Sequence, residues 1–377
     1  MRTKWMYALL FIGMLWGVVA CEDKDFEGIV SNTDDYISEN GSEYSSSGGI
    51  DVSHYERARI FPGLVDTLKE KRLEEVKIEI DMSRAAVRSY DVGLNYTPSP
   101  IYSTGVYAGA GEKITVYLDE DVKGLSVQIG IHDETFSNLN NVFIGRESNI
   151  ITSTPLFMGS NEIRNPYGGY VWITRSSEAV DKKVTLRIQN AYAAPDFVCG
   201  ETIEEKEEWI RRVKETTVPW IELRAEHIAF SVPTSYVQLK VKENGDVFAS
   251  NLNEALKLWD DWVTCYLEFY GMNGEDNCPT PQFPVREIMD VKLASERYSY
   301  CNASSVVLLS TEELIDVISS PELIKNMAAE MNVGHIMGWL QVYMLKRIYF
   351  PSSYQAGFDT MFRFLPNFYF TEENNVF

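Results

Sequence analysis

Histidine is scarce in this chain of 377 residues: there are four, at positions 54, 132, 227 and 335. No two lie four apart, so no helix can carry a pair of imidazoles to one ion. Cysteine pairs of the Cys-x-x-Cys kind are absent too, which excludes a zinc ribbon. No glycine-rich phosphate loop is present, and no histidine accompanies a nucleophilic serine. Positive charge is short, with 34 Lys and Arg against 55 Asp and Glu and a formal charge of −21. Nucleic-acid phosphates would be repelled, so nucleic acid is excluded as a partner. The negative surplus is read as solubility at a crowded surface. After the first twenty residues no apolar run is long enough to cross a membrane.

Those first residues form a separate unit. Arg2 and Lys4 precede an uncharged apolar run, Trp5 to Ala20, too short for a comfortable span. It ends Val18-Val19-Ala20-Cys21, which resembles a bacterial lipobox, so residues 1–21 are expected to be a lipoprotein signal peptide with Cys21 as lipid anchor. Glu22-Asp23-Lys24-Asp25 resembles the surface-export tag of some Gram-negative lipoproteins. The expected location is the outer membrane, exposed at the cell surface. Residues 22–50 are acidic and serine-rich and cannot bury enough apolar surface to offset their ordering entropy, so they read as a flexible tether. Cys199, Cys265, Cys278 and Cys301 remain. They are even in number in an oxidising compartment, with three pairings open and buried free thiols as the alternative.

The mature chain has 45% hydrophobic residues in the whole-sequence count and room for two domains. Residues 51–84 read as a short helical segment, with Phe61, Leu64, Val65, Leu68 and Leu73 near the helical period. Residues 85–195 are β-rich. Lys113–Leu118, Ser126–Ile131, Gly169–Ile173 and Lys183–Ile188 alternate as strands with one buried face, and turn residues at Gly109–Gly111 and Pro166–Gly169 separate them. Regular spacing predicts a β-sandwich. Residues 196–377 turn helical. Glu201–Glu215 suits an amphipathic helix, and Leu252, Leu256, Trp259, Val263, Tyr266 and Tyr270 mark a stronger one. Ser310 and Glu313 match a capping box, and Ser320-Pro321 an N-cap followed by proline at the first helical position. That last helix would carry Leu323, Met327, Met331 and His335 along one face.

On that helix Met331-Asn-Val-Gly-His-Ile-Met-Gly-Trp339 has the spacing of a His-Glu-x-x-His zinc-peptidase motif without its ligands. With His335 as second histidine, Met331 and Asn332 occupy the first-ligand and base positions. With His335 as first, Ile336 occupies the base position and Trp339 the second-ligand position. Each register keeps a glycine before the second ligand position, Gly334 or Gly338, and neither keeps the water-activating glutamate.

Several segments carry a resemblance to a known family. They are Ser103-Thr-Gly-Val-Tyr-Ala-Gly-Ala-Gly-Glu-Lys-Ile-Thr-Val116, Val127-Gln-Ile-Gly-Ile-His132, Asn165-Pro-Tyr-Gly-Gly-Tyr-Val-Trp-Ile173, Ala194-Pro-Asp-Phe-Val-Cys-Gly200 and Val218-Pro-Trp-Ile-Glu-Leu223. Arg286 and Asp290 stand at an Arg-x-x-x-Asp spacing. In order and spacing they resemble the enhancin-like zinc metallopeptidases, which include mucin-directed peptidases. The resemblance implies an α+β chain: an N-terminal β-sandwich followed by a partial zincin-like, helix-rich peptidase domain, apparently truncated at its C-terminus, as a frame disruption after Asn326 would produce. It implies zinc as the family's cofactor and host mucin-type glycoproteins or glycans as partners.

The departures fall on the motif that would hold the metal, so this chain is expected to lack peptidase activity and not to retain zinc, with His335 the remnant of an incomplete site. A non-catalytic glycan or glycoprotein binder is the alternative. Trp220 and Glu222 are candidates to line a substrate cleft, and Trp172, with Tyr167 and Tyr170, to stack on sugar rings; structural packing is the competing reading for each.

Overall fold

The computed structural model describes residues 55–88, 97–133, 146–200, 202–269, 271–272, 274, 279–293, 299–301 and 306–329. The lipobox with Cys21, the tether and the Met331–Trp339 motif with His335 lie outside the described residues.

The described residues open with a helix of six residues, α1 (Tyr55–Ile60). The helical reading of 51–84 does not hold beyond it. Pro62 removes a backbone donor, and Gly63 takes φ 113°, a conformation that favours glycine. Phe61 and Val65 are buried, whereas Leu68 is 78% exposed, so the apolar residues follow an irregular path rather than one helical face.

The β-rich region follows. β1 (Val76–Asp81), β3 (Lys113–Leu118), β6 (Gly159–Arg164) and β8 (Lys183–Gln189) form an antiparallel sheet in the order β1-β8-β3-β6. β2 (Ile101–Ala108), β4 (Leu125–Ile129), β5 (Thr152–Pro155), β7 (Gly169–Arg175) and β9 (Tyr192–Ala193) form a second, in the order β5-β4-β7-β2-β9. Ile80, Ile114, Val116, Leu186 and Ile188 of the first share one core with Val106, Val127, Val171 and Ile173 of the second.

Burial on β8 alternates, as expected of a strand with one buried face. β7 differs, because both its faces are covered: Val171 and Ile173 enter that core, while Tyr170 and Trp172 enter another. The Pro166–Gly169 turn lies between β6 and β7, where Gly168 has φ 66° and a Cβ would stand 2.5 Å from the Ala108 carbonyl oxygen.

The second core belongs to a six-stranded mixed sheet. It comprises β10 (Phe197–Val198), β11 (Trp220–Arg224), β12 (Ile228–Pro233), β13 (Val285–Asp290), β14 (Ser299–Cys301) and β15 (Val306–Leu309), ordered β10-β11-β12-β13-β15-β14. β12 runs parallel to β13, which requires a long crossover. α3 (Thr234–Phe269) supplies it, leaving helical dihedrals at Asn244 beside Gly245. That glycine also admits α2 (Ile203–Glu215), since a Cβ there would come within 3.0 Å of Ile210 Cγ2.

α2 spans most of the expected Glu201–Glu215 and starts at Ile203, behind a capping box between Thr202 and Glu205 that the sequence reading did not single out. Leu252, Leu256, Trp259 and Val263 of α3 are buried, and Trp259 lies 5.9 Å from Phe230. The Ser310–Glu313 capping box does not form. α4 (Glu312–Ser319) has Thr311 at its N-cap, without a side-chain cap bond, and Ser310 Oγ lies 3.5 Å from the Tyr236 hydroxyl instead. α5 (Pro321–Ala329) does begin with proline after Ser320, whose Oγ accepts from the Leu323 amide at 3.3 Å. Pro321 and Ile324 are buried while Leu323 is 39% exposed, so Leu323 does not lie on the inward face as expected; the side chains of Met327 and the later residues of that face are not described.

Candidate functional site

The five-stranded sheet and the six-stranded sheet meet along β2, β7, β11 and β13. Alternation on β11 and β13 puts Glu222 and Arg286 on the face turned toward the β-rich region. Glu222 is completely buried and Arg286 is 3% exposed. Their ion pair is 2.8 Å long. The Trp172 indole N–H donates to the same Glu222 oxygen at 2.7 Å, and the Arg286 guanidinium lies 4.6 Å from the centre of the Trp172 ring. Arg286 also donates to the Ile101 carbonyl and to Ser103 Oγ, both at 3.0 Å. One buried cation thus joins three strands from two sheets.

Asp290, four residues on and on the same face, accepts from buried Arg146. His132 packs beside this pair. It is fully buried, and its Nε2 lies 3.0 Å from the Met289 carbonyl oxygen, so that nitrogen carries the proton and donates. Desolvation drives its pKa down to about 4, which keeps the ring neutral. The Arg-x-x-x-Asp spacing read from the sequence is therefore two buried clamps between the halves of the protein.

The proposed contact residues fall inside this junction. Trp172, at 3% exposure with its N–H committed to Glu222, has no face for a sugar ring. Tyr170 is 1% exposed, with its hydroxyl donating to Asp196. Trp220 is also 3% exposed; its indole N–H donates to the Pro62 carbonyl at 2.9 Å, and its ring meets His132 and Phe61 edge-on. It touches the wall of an open cavity of about 310 Å³, but as packing. The reason is common to all. These strands are buried on both faces, so their aromatics fill the second core.

A larger cavity of about 800 Å³ opens at one end of the junction. Tyr102 and Ser103 of β2 and Arg84 line one side; Arg224, Glu226 and His227 line the other. The Arg84 guanidinium lies 4.7 Å from the Phe283 ring centre, and burial lowers its pKa. Glu226 and His227 lie in the turn joining β11 to β12. Behind them, Asp260 of α3 bonds to His227 through both its backbone amide and its ring. This Asp260 contact raises the His227 pKa despite burial. Sequence reasoning had no means to find it, because 33 residues separate the partners.

Comparison with known proteins decides the family. The N-terminal domain of M60-like peptidases matches residues 73–189, and peptidase M60, enhancin and enhancin-like, matches residues 190–316. The chain belongs to the M60 peptidase family. It is 28% identical over 220 residues to TRPM8 channel-associated factor 1 of Homo sapiens, covering 56% of this chain and 22% of that protein. With TRPM8 channel-associated factor 2 of Homo sapiens it is 30% identical over 227 residues, covering 59% and 22%. The chain thus spans about a fifth of these relatives.

Among solved structures, a conserved protein from Bacillus anthracis superposes with a TM-score of 0.62 at 13% identity, covering 80% of this chain and 58% of that one. The M60 catalytic domain of ZmpC from Clostridium perfringens, solved with the sialyl T antigen, gives 0.57 at 18%, covering 79% and 57%. ZmpB metallopeptidase from the same organism gives 0.56 at 16%, covering 79% and 58%. These likenesses establish the fold.

M60 peptidases use zinc. Met331–Trp339, the segment with the zinc-motif spacing, lies beyond the matched residues 190–316 and outside the described residues. Among the described residues the one group of three donors close enough for a single ion is Glu226, His227 and Asp260.

Proposed function

We propose that this protein is a glycoprotein-directed surface lipoprotein of the M60 family that does not hydrolyse peptide bonds. Its β-rich half is read as a β-sandwich and its second half as a zincin-type domain. Cys21 is read as the point of lipid attachment to the outer membrane, with the acidic tether carrying the globule outward. Mucin-type glycoproteins are the proposed partners, a reading supported by the sialyl T antigen bound to the related catalytic domain of ZmpC.

One observation carries the loss of activity. The sole motif with peptidase spacing, Met331–Trp339, has one imidazole and no carboxylate. Without the glutamate no group takes the proton from the attacking water, and with one histidine the metal itself is not held. Purified protein supplied with zinc and a mucin-type O-glycoprotein tests this. No peptide bond should be cut, and chelator-sensitive cleavage would overturn the proposal.

The cavity at the junction favours a second reading, recognition without cleavage. It is large enough for a small glycan and is lined by polar and charged groups beside aromatic Tyr102. Calorimetric titration with a sialylated O-glycopeptide tests that reading. Saturable binding lost in Arg84→Ala would support it, and no heat at millimolar ligand would sink it.

A further inference from the structure

The turn between β11 and β12 meets the C-terminal half of α3 at the wall of the large cavity, and three donors converge there. Glu226 and His227 come from the turn, and Asp260 comes from the helix. One ligand atom of each lies within 4.8 Å of the others. Asp260 Oδ1 accepts from the His227 amide at 2.6 Å, which fixes the carboxylate and leaves Oδ2 beside the ring.

His227 Nδ1 and Asp260 Oδ2 are 3.3 Å apart. A charge-assisted hydrogen bond would close to about 2.7–2.9 Å. Two ligands of one tetrahedral ion, with bonds of about 2.1 Å, stand roughly 3.4 Å apart. At 3.3 Å the pair is a long hydrogen bond that also matches the ligand spacing. Glu226 is exposed and makes no hydrogen bond or ion pair among the described residues, so its carboxylate is available as the third donor. The cavity in front leaves room for water at the remaining position.

We propose that Glu226, His227 and Asp260 form a divalent transition-metal site for which Zn²⁺ is the preferred ion. One imidazole with two carboxylates suits a borderline ion, whereas Ca²⁺ and Mg²⁺ favour oxygen ligands throughout. Arg84 is the nearby cation acting on His227, and it is outweighed by the two carboxylates that act on the same ring.

The site shares no residue with Met331–Trp339. Its effect is structural. The His227 carbonyl accepts from the Val285 amide at 2.7 Å, so an ion here ties the β11–β12 turn, α3 and the start of β13 together at the cavity mouth.

The test uses the full chain, stripped of metal and titrated with Zn²⁺, Co²⁺, Ca²⁺ and Mg²⁺ separately. Zn²⁺ should raise the unfolding midpoint in a saturable way, and Co²⁺ should develop visible absorption from a low-coordinate N/O site. Glu226→Gln changes an exposed side chain and should keep the fold while weakening Zn²⁺ at least about tenfold. His227→Ala should abolish the shift. Three results would overturn the proposal: no Zn²⁺ shift in the unmodified protein, a shift unchanged in Glu226→Gln, or equal shifts with Ca²⁺ and Mg²⁺. The Glu226→Gln arm keeps the test decisive if His227→Ala does not fold.

Discussion

Glu287 sits on β13 with its backbone paired to Phe230 and Val306 on the neighbouring strands. Strand alternation turns it away from the Arg286 face, toward the side on which Phe230 meets Trp259. It is completely buried, and neither carboxylate oxygen has a hydrogen-bond partner. Desolvation pushes its pKa from 4.5 up to about 8.

A raised acid pKa means that the folded protein holds a proton which the unfolded chain has released. Stability is therefore greatest below about pH 4.5 and falls as pH rises toward 8. At about 1.4 kcal/mol per pH unit, the loss reaches about 3 kcal/mol near neutral pH. Glu287→Gln copies the protonated shape without the titration. Urea unfolding of both proteins from pH 5 to pH 8 should show nearly equal stability at the acid end, with the variant ahead by about 3–4 kcal/mol at the other. Glu287→Leu also removes the unsatisfied polar group and should be more stable at every pH, by about 1–3 kcal/mol beyond the glutamine variant. Parallel pH profiles for unmodified protein and Glu287→Gln would refute the reasoning, because they would require an ionised carboxylate with a partner.

Other outcomes follow from the junction. Arg286→Met leaves Glu222 buried with only the Arg224 guanidinium, 3.6 Å from its other oxygen, and should cost about 3–5 kcal/mol in chemical unfolding; adding Glu222→Gln should recover part of it. A fully independent sum of the two single effects would contradict the ion pair. His132 has its folded pKa depressed from 6.5 to about 4, so its contribution is present above pH 6.5 and is lost as pH falls toward 4. His132→Asn should flatten that acid limb of the stability profile, and an unchanged slope would count against a buried neutral ring. Gly168→Ala forces a Cβ into a left-handed turn and against the Ala108 carbonyl, and thermal unfolding should show a loss of about 1–3 kcal/mol or more.

The order of elements was legible because local chemistry sets it. β3 has the bounds its alternation predicts, α2 falls within the expected Glu201–Glu215, and Leu252 to Val263 form the buried stripe of α3. What failed depended on partners distant in sequence. Phe61, Val65 and Leu64 looked helical, yet Pro62 and Gly63 break the chain there, and Phe61 packs edge-on against Trp220. Trp172 looked available on a strand with one buried face, yet β7 is sealed on both sides by a sheet formed more than 45 residues later along the chain at β11. Glu222, read as a cleft residue, is the buried counter-ion of Arg286, 64 residues on. The Glu226–His227–Asp260 group was invisible for the same reason. Its members carry no shared spacing and meet only because a turn lies against the C-terminal half of α3.

The central claim concerns peptide-bond cleavage at Met331–Trp339. Its most direct test is mass spectrometry of a mucin-type O-glycoprotein after incubation with the zinc-supplied full chain, with and without a chelator. The account predicts identical, uncut substrate in both samples. New termini that vanish with chelator would contradict it.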